Sequence, residues 1–89
     1  MLAKDFLEKA KKYDGREVSI KYTNGKRDKG LLTYQKDSYE EDVSYKNKDM
    51  QYPKTLYRKT INTCFDEIEI SVKRYQQVLT ITPHKRSKK

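Results

Sequence analysis

Residues Arg16 to Thr23 alternate without a break, with Val18, Ile20 and Tyr22 on one side of an extended chain and Glu17, Ser19 and Lys21 on the other. Asn24-Gly25 follows at once. That dipeptide suits the positive φ angles of a tight hairpin turn, so a second strand is expected to run back from about Arg27 to Gln35. Together these residues commit the chain to an antiparallel sheet with one wet face. The register stays open: a two-residue loop sets Val18 opposite Leu31, and a three-residue loop with a bulge sets it opposite Leu32. Gly30, inside the second strand, predicts a sharp bend or bulge.

Ahead of the hairpin, Leu2, Ala3, Phe6, Leu7, Ala10 and Tyr13 fall on one helical face, and the spacing predicts a helix over residues 2–13. Asp5 with Lys9 and Glu8 with Lys12 form i,i+4 pairs opposite that face, and Gly15 supplies a C′ stop. The polar face mixes acid with base, which fits packing on the domain's own core better than membrane binding.

After the hairpin, Lys36 to Gln51 is polar and relatively acidic, with Val43 and Tyr45 alternating, and reads as a long loop around a short strand. Glu40-Glu41-Asp42 lacks the alternate oxygen spacing and turn glycine of a calcium loop, and reads as solvated. Thr55 to Thr63 is expected to be a strand carrying Leu56 or Tyr57 and Ile61 inward. Two patterns compete in the next stretch. Ile68, Ile70 and Val72 alternate as in a strand, whereas Phe65, Ile68, Val72, Tyr75 and Leu79 also make a helical stripe, with Thr63 and Asp66 as a capping box. The β-branched density of Ile68-Glu69-Ile70-Ser71-Val72 and Val78-Leu79-Thr80-Ile81-Thr82 favours strands.

Composition sets further bounds. At 89 residues the chain holds one domain, and its ten aromatics, eight of them Tyr, supply a core that 34% apolar content alone would leave thin. Cys64 is the single Cys and His84 the single His, so neither an internal disulfide nor a four-ligand structural zinc site can form, and no metal or other cofactor is expected. There is no apolar run long enough to span a bilayer and no signal-like start, so the chain reads as cytoplasmic. Its net charge is +8, of which Lys85, Arg86, Lys88 and Lys89 carry a large share in a basic segment, residues 84–89, expected to be a disordered tail.

The order helix, glycine, bent strands, with Gly15-x-x-Val18-x-Ile20-x-Tyr22-x-x-Gly25-x-x-x-x-Gly30-x-Leu32, resembles the first motif of the Sm-like barrels and suits SH3-like barrels generally. The resemblance implies alternating residues that fill a barrel, a hairpin turned at Gly25 and a bend at Gly30. The second half departs from it, because no Gly occurs after Gly30, so ring formation and a uridine pocket do not carry over. The fold class that follows is mainly β (α+β): residues 1–83 form an N-terminal helix and a small, strongly bent antiparallel SH3-like or Sm-like barrel of five to six strands.

No constellation for catalysis stands out. His84 sits at the start of the tail, away from any third group that would complete a triad, and the three glycines are spaced unlike a phosphate-binding loop. Small ribosome-dependent RNases of the RelE type work with Lys, Arg and Tyr, and the ending His84-Lys85-Arg86 is similar to theirs, but the helix-then-hairpin order is not. Nucleic-acid binding needs cations that follow phosphates and aromatics on which bases stack. Lys26, Arg27 and Lys29 form a basic hairpin tip, Tyr57-Arg58-Lys59 and Lys73-Arg74-Tyr75 interleave charge with aromatic rings, and Lys85 and Arg86 lie in the tail. The expected role is therefore a non-enzymatic module contacting RNA or DNA phosphates with little sequence specificity, with Tyr57 and Tyr75 as stacking residues. The competing reading is a protein-interaction or inhibitor module, for instance an accessory protein of a phage or mobile element, and an RNase is the third.

Overall fold

The computed structural model describes residues 1–62 and 67–84. One helix, α1 (Ala3–Lys12), precedes six strands: β1 (Glu17–Tyr22), β2 (Arg27–Lys36), β3 (Glu40–Lys46), β4 (Lys54–Asn62), β5 (Glu67–Val72) and β6 (Val78–Pro83), with a 3₁₀ turn at Arg74–Gln77 before the last. The strands form one antiparallel sheet in the order β5-β4-β3-β2-β1-β6. This sheet curls into a half-barrel around α1, with β5 and β6 at its two edges. Residues 67–72 and 78–83 are strands, as their β-branched density favours, and not one helix.

The concave face holds the core. Phe6 and Ala10 of α1 lie against Val18, Ile20, Leu32, Val43, Tyr45, Leu56, Tyr57, Val78 and Ile81 from the sheet and Tyr75 from the 3₁₀ turn. Phe6, Tyr57 and Tyr75 make a triangle of rings with centroids 6.2, 5.7 and 5.4 Å apart, the separations at which aromatic edges and faces attract beyond their burial. The helix is clipped in place just past its end. Gly15, at φ +80° and one residue beyond the expected C′ position, donates its N–H to Leu32 O at 2.8 Å, and Leu32 N–H returns a bond to Arg16 O at 3.0 Å.

The hairpin register differs from both expected pairings: Val18 lies opposite Gly30, and Lys21 opposite Arg27. The loop is Thr23-Asn24-Gly25. Tyr22 O accepts from Gly25 N–H at 3.0 Å, Tyr22 N–H donates to Lys26 O at 2.9 Å, and Asn24 Oδ1 accepts from Lys26 N–H at 2.9 Å. A three-residue loop of this kind needs one left-handed residue at its end, and Gly25 supplies it at φ +89°. Gly30 is required for a different reason, close approach. A Cβ there would lie 2.8 Å from the carbonyl oxygen of Lys46 and 3.0 Å from the Tyr45 ring, so only glycine lets β3 cross this close.

Residues 36–51 contain more structure than their polarity suggests. β3 is a seven-residue strand in which Glu41, Val43 and Tyr45 point inward, so the acidic run is not a solvated loop. Its period is disguised because one inward residue is a carboxylate, kept in the interior by a 2.5 Å hydrogen bond from the Tyr34 hydroxyl to Glu41 Oε2. Between β3 and β4 the pairing slips from Val43↔Tyr57 to Ser44↔Thr55. Leu56 is the extra residue of that bulge, and for this reason Leu56 and Tyr57, adjacent in sequence, are both buried in the core.

Candidate nucleic-acid interface

The outer face of the β6, β1 and β2 strands carries a groove of about 620 Å³ whose lining includes Ser19, Lys21, Arg27, Lys29, Thr80 and Thr82. The alternation of β1 turns Ser19 and Lys21 outward because Val18 and Ile20 fill the core. Pairing then decides what stands beside them: Arg27 opposite Lys21 and Lys29 opposite Ser19 on β2, Thr80 opposite Lys21 and Thr82 opposite Ser19 on β6. Three cations and three hydroxyls are thereby laid on one face. Two acids also touch the groove, Asp28 and Asp49. Asp28 is engaged, since the Tyr45 hydroxyl donates to one of its carboxylate oxygens and Lys29 N–H donates to the other at 2.9 Å.

Among the described residues the ion pairs within 4.0 Å are those of Arg58 with Asp42 and Glu40, so Lys21, Arg27 and Lys29 have no carboxylate partner. Their charges face solvent in a place where like charges stand directly across from one another, an arrangement that costs stability.

His84 lies against Ser19, one of the residues that line the groove. Its Nε2 lies 2.7 Å from Ser19 Oγ, its N–H donates to Glu17 O at 3.0 Å, and its carbonyl accepts from Arg16 Nη2 at 2.9 Å. His84 is thus ordered against β1 and does not belong to a loose tail. Ser19 and His84 are close enough for a nucleophile and base, but among the described residues no side chain hydrogen-bonds the other ring nitrogen. The contacts tie the end of β6 to β1.

The residues singled out from sequence separate into distinct places. Lys26, at the exposed hairpin tip, adjoins Arg27 and Lys29 in the chain. Arg58 and Lys59 point to opposite faces of β4. Arg58 is held by Asp42 at 2.9 Å and Glu40 at 4.0 Å, and the hydrogen bond that it donates to Asp42 raises its already high pKa. Lys59 stands opposite the buried Glu41 on the inner side. Arg74 is turned back on the protein, with Nη1 donating to Thr55 O at 2.9 Å, and Lys73 is exposed beside it. Tyr57 and Tyr75 are only 1% and 6% exposed. No base can reach their faces, so they are core residues and not stacking residues; burial is also what pushes the Tyr57 hydroxyl pKa up. Lys85, Arg86 and Cys64 lie outside the described residues.

Sequence reasoning missed Lys21, Ser19, Thr80, Thr82 and the placement of His84. The alternation already marked Ser19 and Lys21 as outward, but their neighbours depend on a register that the Asn-Gly dipeptide alone does not set. Among the described residues no group of three His, Cys, Asp or Glu is arranged to hold a metal ion, and no helix is long and apolar enough to cross a membrane. Compared with known protein families, curated proteins and solved structures, the chain matches none.

Proposed function

We propose that this chain is a non-enzymatic nucleic-acid-binding module that grips phosphates through the outer groove of β6, β1 and β2. The observation that carries the reading is the set of Lys21, Arg27 and Lys29, with no carboxylate partner among the described residues and a row of hydroxyls beside them. Lys and Arg supply the charge that displaces counterions from a polyphosphate, and Ser and Thr hydroxyls donate to phosphate oxygens. Lys85 and Arg86, outside the described residues, follow His84 in sequence and add further positive charge to the chain. Such contacts position a backbone without reading base edges, so RNA or DNA is bound with little sequence specificity. The half-barrel itself we read as an SH3-like or Sm-like architecture, on the N-terminal helix, the glycine that follows it and the curled antiparallel sheet that β3 approaches closely at Gly30.

The test is fluorescence anisotropy with labelled single-stranded RNA and duplex DNA over a salt series, comparing the full chain with one ending at His84, which keeps the contacts to Ser19, Glu17 and Arg16. Binding that survives truncation and weakens linearly with log salt supports a phosphate surface on the sheet. Absence of binding to either nucleic acid overturns it.

A protein partner is the second reading. It is favoured by Tyr39, 72% exposed in the turn between β2 and β3 with Asp37 and Glu40 beside it, because exposed tyrosines with an acidic rim suit a protein surface.

A further inference from the structure

We infer that the ligand of this groove is a single strand, with Tyr52 as the side chain on which a base stacks. The inference rests on the reading of the groove as a phosphate surface and adds the form of nucleic acid that it takes.

The loop between β3 and β4 forms one wall. Asn47 and Asp49 line the groove of β6, β1 and β2, while Pro53, at the other end of the loop, lines a second groove on the outer face of β2, β3 and β4 together with Leu31 and Lys46. The loop therefore stands between two outer-face grooves. It is fastened rather than loose: Asn47 Nδ2 donates to Lys29 O at 2.7 Å, Asn47 Oδ1 accepts from Asp49 N–H at 3.0 Å, and Asn47 O accepts from Met50 N–H at 3.1 Å. Tyr52 is carried on this divide and is 72% exposed, whereas the rings of Tyr45, Tyr57 and Tyr75 are buried. Leu31, on the same outer face, is 44% exposed.

These positions separate two tasks. Arg27 and Lys29 are two residues apart on one strand face, about 7 Å along the strand, and present a short row of charge to successive phosphates. Leu31, two residues beyond Lys29 on the same strand face, presents apolar surface beside that row, and Tyr52 offers an exposed ring on the loop that separates the two grooves. A duplex turns its bases inward and offers them nothing. In a single strand the base faces are open, and stacking on an aromatic ring is favourable whatever the base.

The chain contains no Trp, so Tyr52→Trp places one fluorophore at the proposed contact without disturbing the core. Titrating this variant with oligo(dT) of about a dozen nucleotides, a length that covers a site of this kind, is expected to quench the indole, and duplex DNA of the same length is expected to leave it unchanged. Tyr52→Ala is expected to weaken oligo(dT) binding about fivefold or more and to leave duplex binding unaltered, while Tyr52→Phe keeps the affinity. Duplex binding as tight as oligo(dT) binding, with the indole unmoved, overturns the single-strand inference and leaves the phosphate surface standing. Failure of both probes to bind overturns the phosphate reading as well.

Discussion

Lys21 and Arg27 stand directly opposite each other on β1 and β2, two cations paired across a hairpin with no carboxylate within 4.0 Å among the described residues. Like charges in this relation disfavour the hairpin they sit on. Arg27→Glu would give Lys21 an opposite charge, and is expected to raise stability by about 0.2–1 kcal/mol in urea unfolding. The same variant is expected to bind nucleic acid more weakly. A protein that becomes more stable as it loses binding separates a functional cost from a folding defect, and unchanged affinity in Arg27→Glu would remove this pair from the site.

Gly30→Ala places a methyl group 2.8 Å from Lys46 O and 3.0 Å from Tyr45. Both neighbours belong to a paired strand and cannot retreat cheaply. A loss of about 1–3 kcal/mol, the usual cost of overpacking, is expected from the shift in the urea midpoint. A variant as stable as the parent would show that the approach of β3 to Gly30 is looser than described.

Tyr57 and Tyr75 are expected to matter for folding and not for binding. Tyr57→Ala removes a ring from the Phe6-Tyr57-Tyr75 triangle and should cost about 3–5 kcal/mol, as aromatic truncations in a core do. Tyr57→Phe and Tyr75→Phe keep the rings and should bind oligo(dT) with parent affinity in anisotropy. Loss of binding in either Phe variant while it stays folded would return these residues to the interface.

High pH should expose the contact between Tyr34 and Glu41. Desolvation first, then the hydrogen bond to Glu41, push the Tyr34 hydroxyl from 10.0 up to about 12. The folded state therefore holds this proton more tightly than the unfolded chain does, and the stabilisation is complete below about pH 10 and lost as pH rises toward about 12. Tyr45 and Tyr22 are raised as well, both chiefly by burial, and act in the same direction. Urea midpoints should fall over this range, and Tyr34→Phe, which has no proton to lose there, should show a shallower fall. An equally steep fall in Tyr34→Phe would assign the alkaline transition to the other tyrosines.

The fold was legible wherever residue pattern and burial coincide. The alternation at Val18, Ile20 and Tyr22 and the helical face of Phe6 and Ala10 reappear in the structure, because each follows from a period that a few residues carry, whereas Gly30 pairs with Val18 in unbroken register and is required by the close approach of β3. β3 was obscured by Glu41, whose burial depends on a hydroxyl supplied by the neighbouring strand. The site was less legible. Tyr57 and Tyr75 sit beside Lys and Arg in the chain, but the Leu56 bulge and the 3₁₀ turn direct their rings inward. Lys21 joins Arg27 only through a three-residue loop, and either of the two expected registers would have set it opposite Asp28 or Lys29 instead.

The central claim is that Lys21, Arg27 and Lys29 contact phosphates. Its most direct test is the salt dependence of oligo(dT) affinity in the full chain and in the triple variant Lys21→Ala, Arg27→Ala, Lys29→Ala, with circular dichroism confirming that both are folded. Three lost phosphate contacts predict weaker binding and a log-log slope shallower by about two, since each contact to a single strand contributes about 0.7. An unchanged slope and affinity in the folded triple variant would contradict the account and move any binding to another surface.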